Sequence, residues 1–311
     1  MKTKGFLKIL IAAAILGTFY TGCKKSDTTP ATTSTDDSQT QQQSASDQLQ
    51  AENESNQSID DANTALNGTS TTRSSSLITN ATIDSSMKAM GMITITYSGT
   101  SADGTRSRSG TISIQIDTTK KWHTAGATVT ITFNNYKVTR LSNNKSITFN
   151  GTHTITNVNG GTLATIATNT PVVHKIRGND TITFDDGTQR TWSVARTRTF
   201  NLVGATITVT LSGDTTVGGH TNVAMWGKNR ANEDFYVSTT TPLTANVVDN
   251  SSSPCLFKPI GVRVFYGALR TLTVTYGVNQ SGVAVTSGCP YGYKLNWINA
   301  AGTAKQVIIA Y

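Results

Sequence analysis

Residues 92–116 read MITITYSGTSADGTRSRSGTISIQI, and their pattern decides the fold. Ile93, Ile95 and Tyr97 alternate with Thr94 and Thr96, and the alternation resumes at Ile112, Ile114 and Ile116. A period of two puts the large apolar side chains on one face of a strand and the hydroxyls on the other. Between the two runs, Ala102-Asp103-Gly104 is turn chemistry, because glycine accepts the positive φ that a tight reversal needs. The stretch therefore predicts two antiparallel strands with one buried and one wet face, not strands of a parallel sheet covered on both sides.

The same alternation recurs outward along the chain in ATVTITF (127–133), KSITF (145–149), DTITF (180–184), ATITVTL (205–211) and TLTVTY (271–276). Val129, Ile131 and Phe133 share one face, as do Ile207, Val209 and Leu211, and Leu272, Val274 and Tyr276. Turn signals punctuate these runs: Asn159-Gly160-Gly161, Asp185-Asp186-Gly187 and Gly213-Asp214. The expectation is an all-β domain over residues 89–311 with about 12–14 strands. A domain of that size buries roughly 70% of its unfolded surface, so the apolar faces must meet something. A single sheet hides them by curling or by packing on another sheet. The favoured architecture is a long antiparallel meander, curved or sandwich-like, with a closed β-barrel as the alternative. A barrel embedded in a membrane is disfavoured, since it needs an apolar outer band with aromatic girdles.

The N-terminus is of another kind. MKTKGFLKILIAAAILGTFYTGC places Lys2, Lys4 and Lys8 before an apolar run of about a dozen residues, too short for a spanning helix and characteristic of a secretory signal. Residues 1–22 read as the signal peptide. Tyr20-Thr21-Gly22-Cys23 is similar to a bacterial lipobox, in which cleavage precedes an acylated cysteine; Tyr20 stands where leucine is usual. Cys23 is thus the expected lipidation site, and a plain signal peptide with a free cysteine is the alternative. Several acyl chains on one residue anchor firmly, whereas one binds a membrane only marginally. Residues 23–88 follow as a low-complexity tether rich in Ser, Thr, Gln and Asn, whose few large apolar side chains cannot offset ordering entropy. Within it, Leu49, Ile59, Ala62 and Leu66 hint at a short helix stopping at Asn67-Gly68.

Charge is divided unevenly. Residues 24–88 carry a net charge of −5, while residues 89–311 hold nineteen basic and nine acidic side chains, a net of +10. A basic β domain attracts anionic glycans, lipid head groups or acidic proteins, or simply stays soluble. Nucleic acid is not an expected partner, since no recognised binding motif is present. Cys255 and Cys289 remain after Cys23, and in an oxidising compartment an even pair is most simply a disulfide. Closing that loop stabilises by about 3–4 kcal/mol in the chain-entropy account. A two-cysteine metal site is the alternative and lacks close spacing and neighbouring histidines.

Catalytic signatures are not apparent. His123, His153, His174 and His220 are scattered, Asp185-Asp186 precedes a turn glycine, and the chain has no nucleophile elbow, P-loop, dinucleotide fingerprint or zincin helix. The reading is non-enzymatic, with no catalytic residues, cofactor or metal. One binding feature stands out. In RTWSVARTRTF, Arg190, Trp192, Arg196 and Arg198 share a strand face. Such a row would contact an anionic ligand through paired hydrogen bonds and stacking. The competing reading pairs these arginines with cross-strand acids and lays their stems over Trp192. The Thr face opposite supplies strand propensity without stickiness.

The order of DGTRSRSGTISI (103–114), ATVTITFNNYKV (127–138), SITFNGTHTITNV (146–158), TQRTWSVARTRTF (188–200) and DFYVSTTTPL (234–243), then Cys255, GVRVFYG (261–267), TLTVTYG (271–277) and Cys289, resembles a group of uncharacterised Bacteroidota lipoproteins. Members often carry a cysteine near the end of the first strand, where this chain has YSGTSADG, so a bond from that position is absent here. The resemblance implies a lipid-anchored envelope protein, at the outer membrane, with a repetitive β domain and no assigned activity. Two functions follow as expectations: a structural or protein-interaction β domain partnering envelope proteins, or a module for anionic glycans.

Overall fold

The computed structural model describes residues 38–67, 78–167, 170–249, 255–267, 270–286 and 288–311. The expected signal peptide, Cys23 and the first part of the tether lie outside the described residues.

The strands are β1 (Ala81–Asp84), β2 (Met92–Thr100), β3 (Arg106–Ile116), β4 (Ala127–Arg140), β5 (Ser146–Asn157), β6 (Val172–Phe184), β7 (Gln189–Val203) and β8 (Thr206–Gly213). They continue with β9 (Thr215–Val217), β10 (His220–Lys228), β11 (Asp234–Asp249), β12 (Ile260–Gly267), β13 (Thr271–Val278), β14 (Gly292–Ile298) and β15 (Ala304–Ala310). All pair antiparallel in one 15-stranded sheet whose path runs from β1 to β15 in chain order, apart from one detour. Consecutive pairing is what short turns between period-two segments dictate. The expected alternation holds in detail. Ile93, Ile95, Ile112, Ile114, Val129 and Ile131 are buried, while their Thr neighbours reach solvent. Register sets Ile93 opposite Ile114 and Ile114 opposite Ile131, so the apolar rows run straight across strands.

The detour explains how a meander can contain a closed four-strand cycle. β8 and β10 lie end to end in one slot: β7 pairs with β8 through Arg196–Val203 and with β10 through Thr191–Val194, and β11 likewise pairs with both. Asp214 to Asn222 leave the slot as a small hairpin of β9 and the start of β10, and His220 of β10 stacks on Tyr266 at 3.8 Å between ring centroids. Gly213-Asp214, expected as a turn between strands, is the point of departure. The cycle of pairings is thus local to β7, β8, β10 and β11, and the sheet as a whole keeps the order of an open meander.

One bulge departs from period two. At Asn134-Asn135 the register of β4 slips, and both Phe133 and Tyr136 face inward. Gly110 on β3 makes room: its φ is +91°, and a Cβ there would sit 2.0 Å from the Asn135 carbonyl oxygen. Behind the bulge, Phe133, Tyr136, Phe149, His153 and Trp192 form a connected aromatic cluster. Cys255 and Cys289 form a disulfide with Cα atoms 5.1 Å apart, joining the segments that flank β12 and β13.

The inner face is not covered by a second sheet. It is covered by α1, a 30-residue helix over Ser38–Asn67. The segment holds no Gly or Pro and is rich in Gln and Ala, both good helix formers, and it ends where Gly68 follows. The short helix expected around Leu49–Leu66 therefore begins earlier and takes up much of the segment read as tether. Its buried apolar side chains, Ala45, Ala51, Ile59, Ala62 and Ala65, are mostly small. Side chains from β2, β3, β4, β7 and β12 all reach this one helix, so the sheet curves around it.

Candidate functional site: an arginine trough filled by a helix

Alternation requires Arg190, Trp192, Arg196 and Arg198 to face inward on β7, and they do, at 5, 0, 0 and 4% exposure. This places the row beneath α1 rather than on an open outer surface, and of the four only Arg198 also lines a groove. The cross-strand acids expected as their partners are also not opposite them. The arginines of the row face Ile182, Ile176 and His174 on β6. Their partners come from the helix, more than a hundred residues earlier.

Glu52 is the centre. Arg196 Nη1 donates to its Oε1 at 3.1 Å, Arg263 of β12 donates to its Oε2, and Arg196 Nη2 also donates to Ser55 Oγ at 3.2 Å. Arg198 Nη2 donates to Asp60 at 2.9 Å, and Arg190 Nη2 to the amide oxygen of Gln48 at 2.9 Å. A second stripe, Asp47, Glu54 and Asp61, repeats at intervals of seven and so lies along one side of the helix. Arg230, in the β10–β11 turn, holds Asp47 with two bonds of 2.7 and 2.8 Å; Arg106 holds Glu54 at 3.0 Å; Arg108 holds Asp61 at 2.8 Å. Tyr97 also donates to Asp61 at 2.8 Å, and Arg140 donates to Gln50 at 2.7 Å. The helix carries no Lys or Arg, so every charged contact has the same polarity.

The floor beneath the guanidinium groups is apolar. Arg108 lies over Tyr97, Arg190 over Phe235, Arg198 over Phe200 and Arg230 over Phe184, at 3.4–5.1 Å from ring centroids. Most of these groups are buried, so titration responds to burial and to partners. Burial alone would push Glu52 up, but Arg263 and Arg196 outweigh it and hold the carboxyl below its ordinary value. For Glu54 and Asp61 burial wins over Arg106 and Arg108, and both are raised. Burial depresses Arg190 and Arg196 to about 10.

Arg106, Arg108, Arg140, Arg230 and Arg263 were not singled out by sequence reasoning, although a signal existed: Arg108 is in phase with Ile112 and Ile114, and Arg263 with Phe265. A cation at an inward position of a strand calls for a buried anion. The remaining candidates are structural. His153 Nε2 and Asp180 are 2.6 Å apart with no exposure, and burial lowers His174 to about 3, keeping it neutral. Asp185 pairs with Lys145, and Asp186 caps Thr188 in the turn and meets Arg230. Among the described residues no group of His, Cys, Asp and Glu is placed to hold a metal ion, and no helix is long and apolar enough to cross a membrane. Comparison with protein-family models, curated proteins and solved structures returns no match.

Proposed function

We propose that this chain is a non-enzymatic envelope protein, anchored through Cys23, whose β domain serves structure and interaction. The observation that carries the reading is the docking of α1: the polypeptide leading from the expected anchor enters the sheet and is locked there by buried arginine–carboxylate pairs. A leash clamped in this way makes residues 38–67 part of the folded β domain rather than of the tether. The buried carboxylates with perturbed titration, Glu52, Glu54 and Asp61, are each engaged by arginines inside the protein.

The anionic-glycan reading draws on the same row, of which Arg190 and Arg196 are buried against Gln48 and Glu52 and Arg198 donates to Asp60, so no open row of guanidinium groups faces a polysaccharide. The interaction reading is therefore preferred. Its test is fractionation and protease mapping on intact cells. Wild-type protein should pellet with membranes and enter the detergent phase, Cys23→Ser should release it, and protease should cut before residue 38 while leaving the helix and sheet as one fragment. Membrane release identical in both proteins, or ready cleavage within residues 45–62, would overturn the proposal.

A further inference from the structure

The exposed stripe of α1 is the floor of a groove of about 890 Å³, within the range of about 300–1,000 Å³ typical of ligand pockets. Its two walls differ in chemistry. One is cationic and includes Arg106, Arg108 and Arg140; the other is apolar, from Val209 and Leu211 of β8 and Leu243 of β11 to Tyr276 and Tyr293. On the β7 side of the groove, Arg198 is directly opposite Leu211 and Leu211 is directly opposite Leu243. Directly opposed side chains have Cβ atoms about 4.5–5.5 Å apart, so a guanidinium and an aliphatic surface adjoin within the groove.

Two further observations point to a ligand. Arg198, 4% exposed, has Nε and Nη1 without hydrogen-bond partners, and Arg108, 5% exposed, has Nε unpartnered. Buried guanidinium N–H groups left without acceptors are costly and call for one. The lining also holds five carboxylates, each engaged by arginine: Glu52 by Arg196 and Arg263, Glu54 and Asp103 by Arg106, Asp60 by Arg198 and Asp61 by Arg108, while Arg140 donates to the neutral Gln50. At the mouth, Phe257 is 65% exposed and holds a φ of +57°, a conformation uncommon for a bulky residue and fixed by its N–H bond to the Asn246 carbonyl. Leu256 and Ile260 beside it are exposed too, giving an apolar lip.

We infer that this groove binds an amphipathic anion, a carboxylate or phosphate head group bearing an alkyl chain. The head sits against Arg198, and the chain runs over Leu211 and Leu243 toward the lip at Phe257. A sugar polyanion fits less well, because the wall beside the arginines is aliphatic rather than polar. Two sources share this chemistry, a free long-chain carboxylate and a membrane phospholipid. The inference does not depend on how the chain is anchored.

The test is calorimetric titration of the mature chain with dodecanoate, with dodecyltrimethylammonium as the cationic control and phosphatidylglycerol vesicles as a separate arm. Saturable one-site binding of dodecanoate, at least tenfold tighter than the cationic amphiphile, is expected. Arg198→Gln should weaken it at least tenfold. Asn53→Trp, on the exposed stripe of the helix, should fill the groove and weaken binding equally while leaving the melting temperature unchanged. Vesicle binding without dodecanoate binding, if lost in Asn53→Trp, supports the site and assigns it to phospholipid. Absence of binding in both arms, or binding that ignores both substitutions, overturns the inference.

Discussion

Ile95 on β2 and Arg196 on β7 occupy the same kind of position, inward-facing and fully buried, yet their surroundings are opposite. Around Ile95 the neighbouring inner-face side chains of β3 and β4, Ile112, Ile131 and Phe133, are apolar, and Arg108 and Arg140 come only further along those strands. Around Arg196 the inner face of β7 and β12 is a guanidinium cluster that is stable only because α1 brings carboxylates to it. The first region is held by area removed from water, which is non-directional and tolerant. The second is held by pairs that must each be completed, because a buried charge without its partner is far more costly than a lost methyl group. One sheet thus uses two kinds of adhesion, and the helix belongs to the second.

The sharpest way to break this contrast is at Glu52. Glu52→Gln leaves Arg196 and Arg263 buried without a carboxylate, and a loss of about 3–5 kcal/mol is expected. In the apolar half, Ile131→Val removes one methylene from a position equally buried, and about 0.5–1.5 kcal/mol is expected. Urea denaturation of both variants at pH 7 measures the difference. If Glu52→Gln costs no more than Ile131→Val, the arginine cluster does not depend on the helix, and its carboxylates are incidental.

These two regions also differ in how far the sequence disclosed them. The apolar half was legible because period-two alternation carries both strand and face, and turn residues such as Asp103-Gly104 and Asp186-Gly187 mark the reversals. The face of Arg190, Trp192, Arg196 and Arg198 was legible for the same reason. Their partner was not. Ion pairing between Arg196 and Glu52 spans 144 positions, and nothing local in either segment names the other. The helix itself was faint, since Ser and Asn dilute its apolar positions and Ala51 or Ala62 gives little hydrophobic signal. Its seven-residue acidic spacing, Asp47, Glu54 and Asp61, becomes meaningful only beside inward-facing arginines.

Acid titration gives a smaller but more specific prediction. Glu54 and Asp61 are raised in the folded state, so folding takes up protons there, and their contribution to stability grows as pH falls toward the ordinary values of 4.5 and 3.8. Glu52 is lowered, so its contribution is fully present above 4.5 and is lost as pH falls below that value. The denaturation midpoint should therefore hold or rise between pH 7 and about 5 and then drop. Glu52→Gln should flatten the drop. A shallower limb should remain, because Asp186 is also held low, chiefly by the Thr188 hydroxyl. A midpoint falling steadily from pH 7 would mean that Glu54 and Asp61 are not buried as described.

The smallest effect is expected where the same chemistry lies in water. Lys145 and Asp185 are 2.9 Å apart, a separation like that between Arg196 and Glu52, but their side chains are 62 and 27% exposed. Solvent screens the attraction, and holding two side chains in place costs entropy, so Lys145→Ala should change stability by about 0.2–1 kcal/mol at most. The residual effect should shrink further at 1 M salt, where the Debye length is about 3 Å, whereas the Glu52→Gln loss should persist because its charges are shielded from ions by the sheet. Arg230 lies between the extremes, at 24% exposure with Asp47 on one side and Asp186 on the other. A graded series from Lys145 through Arg230 to Glu52 would make burial the controlling variable. Equal losses at all three would show instead that contact geometry alone sets the strength of these pairs.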